Sequence, residues 1–125
     1  MKILYIGVHS HKNWGAEFWL LQAFHDINLE YELLDYRKEF KNSNNNQING
    51  LIALKSKTCD LIFLQRGDNL SPNIFNNINI PIIFWSTEPI QLKNDVDQLL
   101  AKSIFSWVFV HSYSCLERVK KEFQH

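Results

Sequence analysis

The sequence predicts an α/β fold, a Rossmann-like open parallel sheet of about five strands with helices on both faces. Two observations carry this expectation. Five short apolar runs alternate with helical patterns at a repeat of roughly 25 residues, the spacing of β-α units joined by right-handed crossovers. The runs are also apolar on both faces rather than alternating, which suits strands covered by helices on two sides. At 125 residues and 14.8 kDa the chain has the length of one domain. Surface scaling leaves roughly 7,000 Å² exposed out of about 21,000 Å² in the unfolded chain, enough burial for a core without disulfide or metal staples.

The first strand is Ile3 to Val8, rich in β-branched residues. A helix pattern from Ala16 to Ile27 sets Leu20, Ala23, Phe24 and Ile27 on one face, with Trp19 expected in the core. Tyr31 to Tyr36 is a more amphipathic second strand. Lys41 to Asn49, dominated by asparagine, reads as a surface loop. A weaker helix follows on Ile48, Leu51, Ile52 and Lys55, loosened by Gly50. Asp60 to Gln65 is the third strand. Ser71 as N-cap and Pro72 as first helical residue then open a short turn carrying Phe75 and Ile78. Ile80 to Trp85 is the fourth strand, with Pro81 at its opening, where a missing N–H is tolerated. Asn94 and Asp95 can cap a helix on Val96, Leu99 and Leu100. Trp107 to Val110 is the fifth strand. The last helix starts at Ser112 or Ser114; Ser114 and Glu117 have capping-box spacing, and Leu116, Val119 and Phe123 form the expected buried stripe.

Composition removes several classes of function. Thirteen basic and thirteen acidic residues cancel, so no electrostatic case for nucleic acid or an anionic membrane exists. The two cysteines, Cys59 and Cys115, form no C-x-x-C pair, which excludes a zinc ribbon and a disulfide framework and fits a reduced, cytoplasmic setting. No apolar stretch approaches a membrane span or a signal-peptide core. Absent motifs narrow the field further. Gly7 and Gly15 do not make a dinucleotide-binding G-x-G-x-x-G, and there is no P-loop. Histidine follows the first strand and serine the fifth, where a phosphoacceptor domain wants acidic residues and lysine. A flavodoxin would want a hydroxyl-rich phosphate loop, and Ser10 alone is a poor substitute.

In an open parallel sheet, ligands bind beyond the carboxyl ends of the strands, at the switch in strand order. The strand exits therefore hold the candidate residues. The first exit carries His9, His11, Trp14 and Gly15; the second carries Asp35, Tyr36 and Arg37, and the third Arg66, Gly67 and Asp68. Trp85, Ser86, Thr87 and Glu88 leave the fourth strand, and His111 and Ser112 the fifth. His9 and His11 in H-x-H spacing would need a third partner to bind a metal, and no metal is expected. Either is a general base near a ligand or a loop histidine bonded to backbone. Gly15 either lets helix N–H groups approach an anion or serves a tight strand-to-helix turn. Arg66 suits an anion or an ion pair with Asp68 or Glu88. Trp85, two hydroxyls and Glu88 suit stacking and hydrogen bonding to a sugar, or a buried indole beside a carboxylate held by Pro89.

Three segments carry a family resemblance. Lys2 to Gly7 is followed by a loop and a helix ending in Ala23-Phe24; Pro81 to Pro89 ends a strand in tryptophan, an acid and proline; Trp107 to Ser112 precedes Leu116 to Lys120. Together they resemble the N-terminal half of the GT-B glycosyltransferases, nearest the bacterial CgeB-like branch, in which the acid is more often aspartate than the glutamate found here. The resemblance implies the acceptor-side domain of a two-domain polysaccharide-type transferase. Its C-terminal partner domain would hold the nucleotide-diphosphate sugar co-substrate without metal, and a glycan or other acceptor would enter the cleft. This domain alone would bind no cofactor and transfer no sugar, and peripheral membrane contact stays open. His11 and Glu88 become the candidate catalytic groups. His9, Trp14, Gly15, Arg66, Asp68, Trp85, Thr87, His111 and Ser112 become candidate substrate contacts. The other class of function open to this chain is a non-catalytic α/β module that binds a small ligand or a protein.

Overall fold

The computed structural model describes residues 1–9, 15–87 and 96–123. Five parallel strands form one sheet: β1 (Lys2–Gly7), β2 (Glu30–Asp35), β3 (Leu61–Gln65), β4 (Ile82–Trp85) and β5 (Trp107–Phe109), in the order β2-β1-β3-β4-β5. Helices α1 (Ala16–Asp26), α2 (Tyr36–Phe40), α3 (Asn45–Ser56), α4 (Asp97–Leu100) and α5 (Tyr113–Phe123) and a 3-10 turn at Pro72–Phe75 connect and flank them. This is the expected α/β arrangement, and the order reverses between β1 and β3, so the switch point lies at their carboxyl ends. Among the described residues no helix is long and apolar enough to cross a membrane.

The two faces of the sheet are unequally dressed. Leu4, Ile6, Ile62, Leu64, Ile82 and Phe84 point to one face and join a large core with Ile48 and Ile52 of α3, Leu99 and Leu100 of α4, and Cys115 and Val119 of α5. The other face has a small core of Ile3, Tyr5 and Phe24, with Leu20, Leu21 and Phe63 packed against it. Among the described residues, α1 is the one helix that contributes to that second core. Over β5 the same face leaves Trp107 and Phe109 more than half exposed.

Several local expectations need correction. Trp19 is 63% exposed rather than buried. The α1 stripe that meets the sheet is Leu20, Leu21 and Phe24, and residue 19 projects about 100° away from Leu20 around the helix. Ile27 is also exposed, because it lies beyond the helix end. Asn28 takes a left-handed φ of 54°, and the Leu29 N–H closes back on the Phe24 carbonyl at 2.8 Å, a Schellman-type stop.

The asparagine-rich segment is not one loop. Asn44 and Gln47 form a reciprocal capping box, with bonds of 2.9 and 2.8 Å, and α3 begins at Asn45. The Asn49 amide then donates to the carbonyls of Ile74 and Asn76, both at 2.9 Å, tying α3 to the 3-10 turn. At α5 the cap is Ser112, whose hydroxyl accepts the Cys115 N–H at 3.4 Å, while Ser114 lies inside the helix. The fully buried positions of α5 are Cys115 and Val119; Leu116 and Phe123 are half-buried. Asn94 and Asp95 lie outside the described residues.

Candidate functional site at the carboxyl edge

The exits of β1, β2 and β3 converge on two linked polar clusters. In the first, the backbone N–H of His9 donates to Asp35 Oδ2 at 3.0 Å, and the ring Nε2 lies 3.4 Å from the Tyr5 carbonyl. The imidazole stands edge-on to the Tyr5 ring at 4.6 Å between centroids. Tyr5 in turn donates its hydroxyl to the side-chain oxygen of Gln65 on the neighbouring strand. Gly7 makes room for this cluster: a Cβ there would sit 3.2 Å from the Tyr5 ring and 3.5 Å from the His9 ring.

Burial lowers the His9 pKa below its ordinary value, and the Tyr5 and Leu34 carbonyls and the charges of Asp35 and Glu17 only partly offset it. The ring is therefore neutral at pH 7. With Nε2 donating to Tyr5, the lone pair lies on Nδ1, which is buried and meets no well-aligned hydrogen-bond partner among the described residues. Nδ1 is thus withdrawn from solvent, and His9 is bonded to backbone through Nε2.

Asp68 is the hub of the second cluster. Tyr36 donates to its Oδ1 at 2.6 Å, Arg37 Nη2 to its Oδ2 at 2.7 Å, and Arg66 Nε lies 3.5 Å from Oδ1. Burial pushes the Asp68 carboxyl up, but the Tyr36 and Arg37 hydrogen bonds and the two guanidinium charges outweigh it, leaving the pKa below the usual carboxylate value. The backbone enforces this meeting. Arg66 and Gly67 adopt left-handed φ values of 72° and 77°, and the Arg66 N–H donates to the Trp85 carbonyl at 3.0 Å. The two clusters join through Asp35, which also caps α2 by accepting the Lys38 N–H at 3.1 Å.

The remaining candidates are placed apart from this centre or committed elsewhere. Gly15 has a φ of 108°, and the Glu17 carboxylate folds back to within 3.1 Å of where its Cβ would be. An anionic ligand at that turn would meet a negative charge. Trp85 is half-buried, 6.2 Å from the Phe63 ring, and Thr87 follows it half-exposed. His111 is exposed and Ser112 is engaged in its cap, both beyond β4 from the clusters. His11, Trp14 and Glu88 lie outside the described residues. Among the described residues no three histidine, cysteine or acidic side chains come together to hold a metal.

The sequence sets Tyr36 and Arg37 at the second exit and Arg66 and Asp68 at the third, but not the bonds that join them, and it does not single out Tyr5, Glu17 and Gln65 around His9. Gln65 offered one clue, as the lone polar residue at the end of an apolar strand. An open hollow of about 400 Å³ lies at the opposite, amino edge, lined by Ser56, Lys57, Cys59, Asn77 and Asn79 among others. It carries a single charged side chain, so the chemically equipped surface is the carboxyl edge. What that edge offers a ligand is two partly exposed guanidiniums on a rigid carboxylate, the hydroxyl of Thr87, and the half-buried indole of Trp85. No known protein-family profile matches the chain, and no curated protein is similar to it at a significant level.

Proposed function

We propose that this chain is the N-terminal, acceptor-side domain of a GT-B-type glycosyltransferase, acting on a polysaccharide or similar glycan with a nucleotide-diphosphate sugar held by a C-terminal partner domain. The observation that supports this best is the Asp68 cluster at the β1/β3 switch point. Arg37 and Arg66 are held by one carboxylate, and the Arg66 backbone N–H bonds the Trp85 carbonyl, which fixes both cations where the β2, β3 and β4 exits meet. Planar guanidinium donors held in place at a strand exit suit the hydroxyls of a sugar ring. The proton acceptor for the attacking hydroxyl would come from His11 or Glu88, the cleft residues the family resemblance singles out.

Backbone amide spectra of the chain, recorded with a neutral oligosaccharide series and separately with uridine diphosphate, test the reading. The expected result is saccharide-dependent shifts at Arg66, Asp68, Thr87 and the Trp85 indole N–H, with little response to the nucleotide. Nucleotide binding at this edge without any saccharide response would overturn it. The non-catalytic reading has one observation in its favour, the exposure of Trp107 and Phe109 on a sheet face, which suits contact with a protein.

A further inference from the structure

All-parallel sheets are ordinarily covered on both faces, and this one is left open on one face over its last two strands. Phe84 and Val108, in register on β4 and β5, turn toward the large core. By the alternation of a strand, Ile83, Trp85, Trp107 and Phe109 therefore turn to the opposite face. The α1 helix packs on Ile3, Tyr5 and Phe63 of that face, while Trp107 and Phe109 stay 59% and 54% exposed. Register sets Phe109 beside Trp85 and Trp107 beside Ile83, about 4.8 Å apart across the strands. Along β5 the two exposed rings follow each other at about 6.6 Å. No charged residue stands in β3, β4 or β5. With its side chains α1 is about 10–12 Å thick, so this aromatic strip is the floor of a step with the helix as its wall.

We propose that Trp107 and Phe109 form a stacking platform for a neutral, extended glycan, holding the acceptor chain behind its reacting end. This rests on the acceptor-domain reading for what lies at the carboxyl edge, and adds a second contact region to it. Chemical type, area and position choose the occupant. Aromatic rings present a negative π-face, which matches the positively polarised C–H groups on the apolar face of a sugar, and the uncharged strands give no hold to an ionic ligand. Aromatic side chains bury about 150–250 Å² each, so two rings at these exposures offer on the order of 200 Å². A standard protein interface takes about 800 Å² from each partner, whereas a few sugar rings need no more than the platform offers. The wall of α1 lets a linear chain lie alongside and holds off a flat bilayer. Trp85 closes β4 at the carboxyl edge and stands in register with Phe109, so the strip is continuous with the candidate site. A chain laid along Trp107 and then Phe109 follows β5 toward the strand exits, where Thr87 and Asp68 lie.

Backbone amide and indole N–H spectra of the full chain test this, titrated with neutral oligosaccharides of glucose, mannose and N-acetylglucosamine from the disaccharide to the hexasaccharide. The expected result is a shift of the Trp107 and Phe109 signals that grows with saccharide length, with affinity rising about tenfold across the series. Trp107→Ala, at an exposed position, weakens hexasaccharide binding about five- to tenfold and flattens its dependence on length. Phe109→Ala does the same, and Phe109→Tyr, which keeps the ring, restores the native affinity. Shifts at Thr87 and Asp68 with none at Trp107 and Phe109 would overturn the platform and leave the acceptor-domain reading standing. Shifts at Trp107 and Phe109 alone would keep the platform and remove that reading. No response to any saccharide at Trp107 and Phe109 overturns the proposal. So do signals there that move instead with protein concentration or with phospholipid bicelles, which would give the strip to a second copy or to a membrane.

Discussion

Tyr36 and Asp68, 32 positions apart in sequence, meet through a 2.6 Å hydrogen bond that fastens the exit of β2 to the exit of β3 across the intervening β1. Arg37, next in the chain, takes the second carboxylate oxygen at 2.7 Å. The pair makes the switch-point surface a rigid piece of the fold rather than a set of independent loops.

Asp68→Asn breaks the charge of this hub while keeping its shape. With the carboxylate 23% exposed, the expected cost is about 1–2 kcal/mol, discounted for solvent screening. Because the folded carboxyl lies below its ordinary value, its contribution is fully present above the unfolded value of about 3.9 and is lost as pH falls through the folded one. Urea unfolding midpoints measured from pH 6 downward should therefore fall less steeply in the variant than in the native chain.

His9 behaves in the same sense for a different reason. Its folded pKa is depressed chiefly by burial, so neutral His9 stabilises the fold above the unfolded value of about 6.5, and that contribution fades as pH falls through the folded value. Proton NMR titration of the His9 ring should show an apparent pKa below 6.5. A value at or above it would mean that the ring is open to water.

Tyr5 and Tyr36 predict the alkaline limb. Burial raises both phenols, and Asp68 raises Tyr36 further, so their stabilising contribution is complete below about pH 10, the unfolded value, and is lost as pH climbs toward the folded values. Ultraviolet titration should show two tyrosines ionising only together with unfolding. Tyr5→Phe leaves the Gln65 side-chain oxygen, 2% exposed as a residue, without its donor and is expected to cost about 1–3 kcal/mol in chemical denaturation.

Two glycines give opposite outcomes. Gly67 has a φ of 77°, and a Cβ there would come within 3.1 Å of both Leu99 and Phe84 side chains. Gly67→Ala is expected to destabilise by about 2–4 kcal/mol and to loosen Arg66 and Asp68 with it. Gly50 lies on the exposed side of α3 with nothing within 4 Å, so Gly50→Ala should stabilise by about 0.5–1 kcal/mol. Thermal melts of the two variants against the native chain measure both signs.

The strands were legible because runs such as Ile3 to Val8 and Ile80 to Trp85 are apolar on both faces, a pattern few other structures tolerate. Their exits followed directly, which is why Arg66 and Asp68 could be named together. Tyr36 and Arg37 could be set at the second exit, but their bonds to Asp68, like that between Gln65 and Tyr5, could not be seen, since the partners lie more than thirty positions away and only the register between strands brings them into contact. The asparagine run hid a helix start because composition suggests a loop, whereas the Asn44 cap depends on the position of one side chain. Trp19 was misplaced because hydrophobicity alone does not say which of two adjacent helical positions faces the sheet.

Strand order also sets a timetable for synthesis. β1 is an interior strand, yet it leaves the ribosome before either of its neighbours, β2 and β3. At 5–20 residues per second, about 3 to 11 seconds separate the end of β1 from the start of β3. Through that interval one whole edge of Ile3 to Ile6 has nothing to pair with, and its apolar side chains are a ready target for chaperones. The chain's yield in cells should therefore respond to translation speed over residues 8–60 more than to its equilibrium stability.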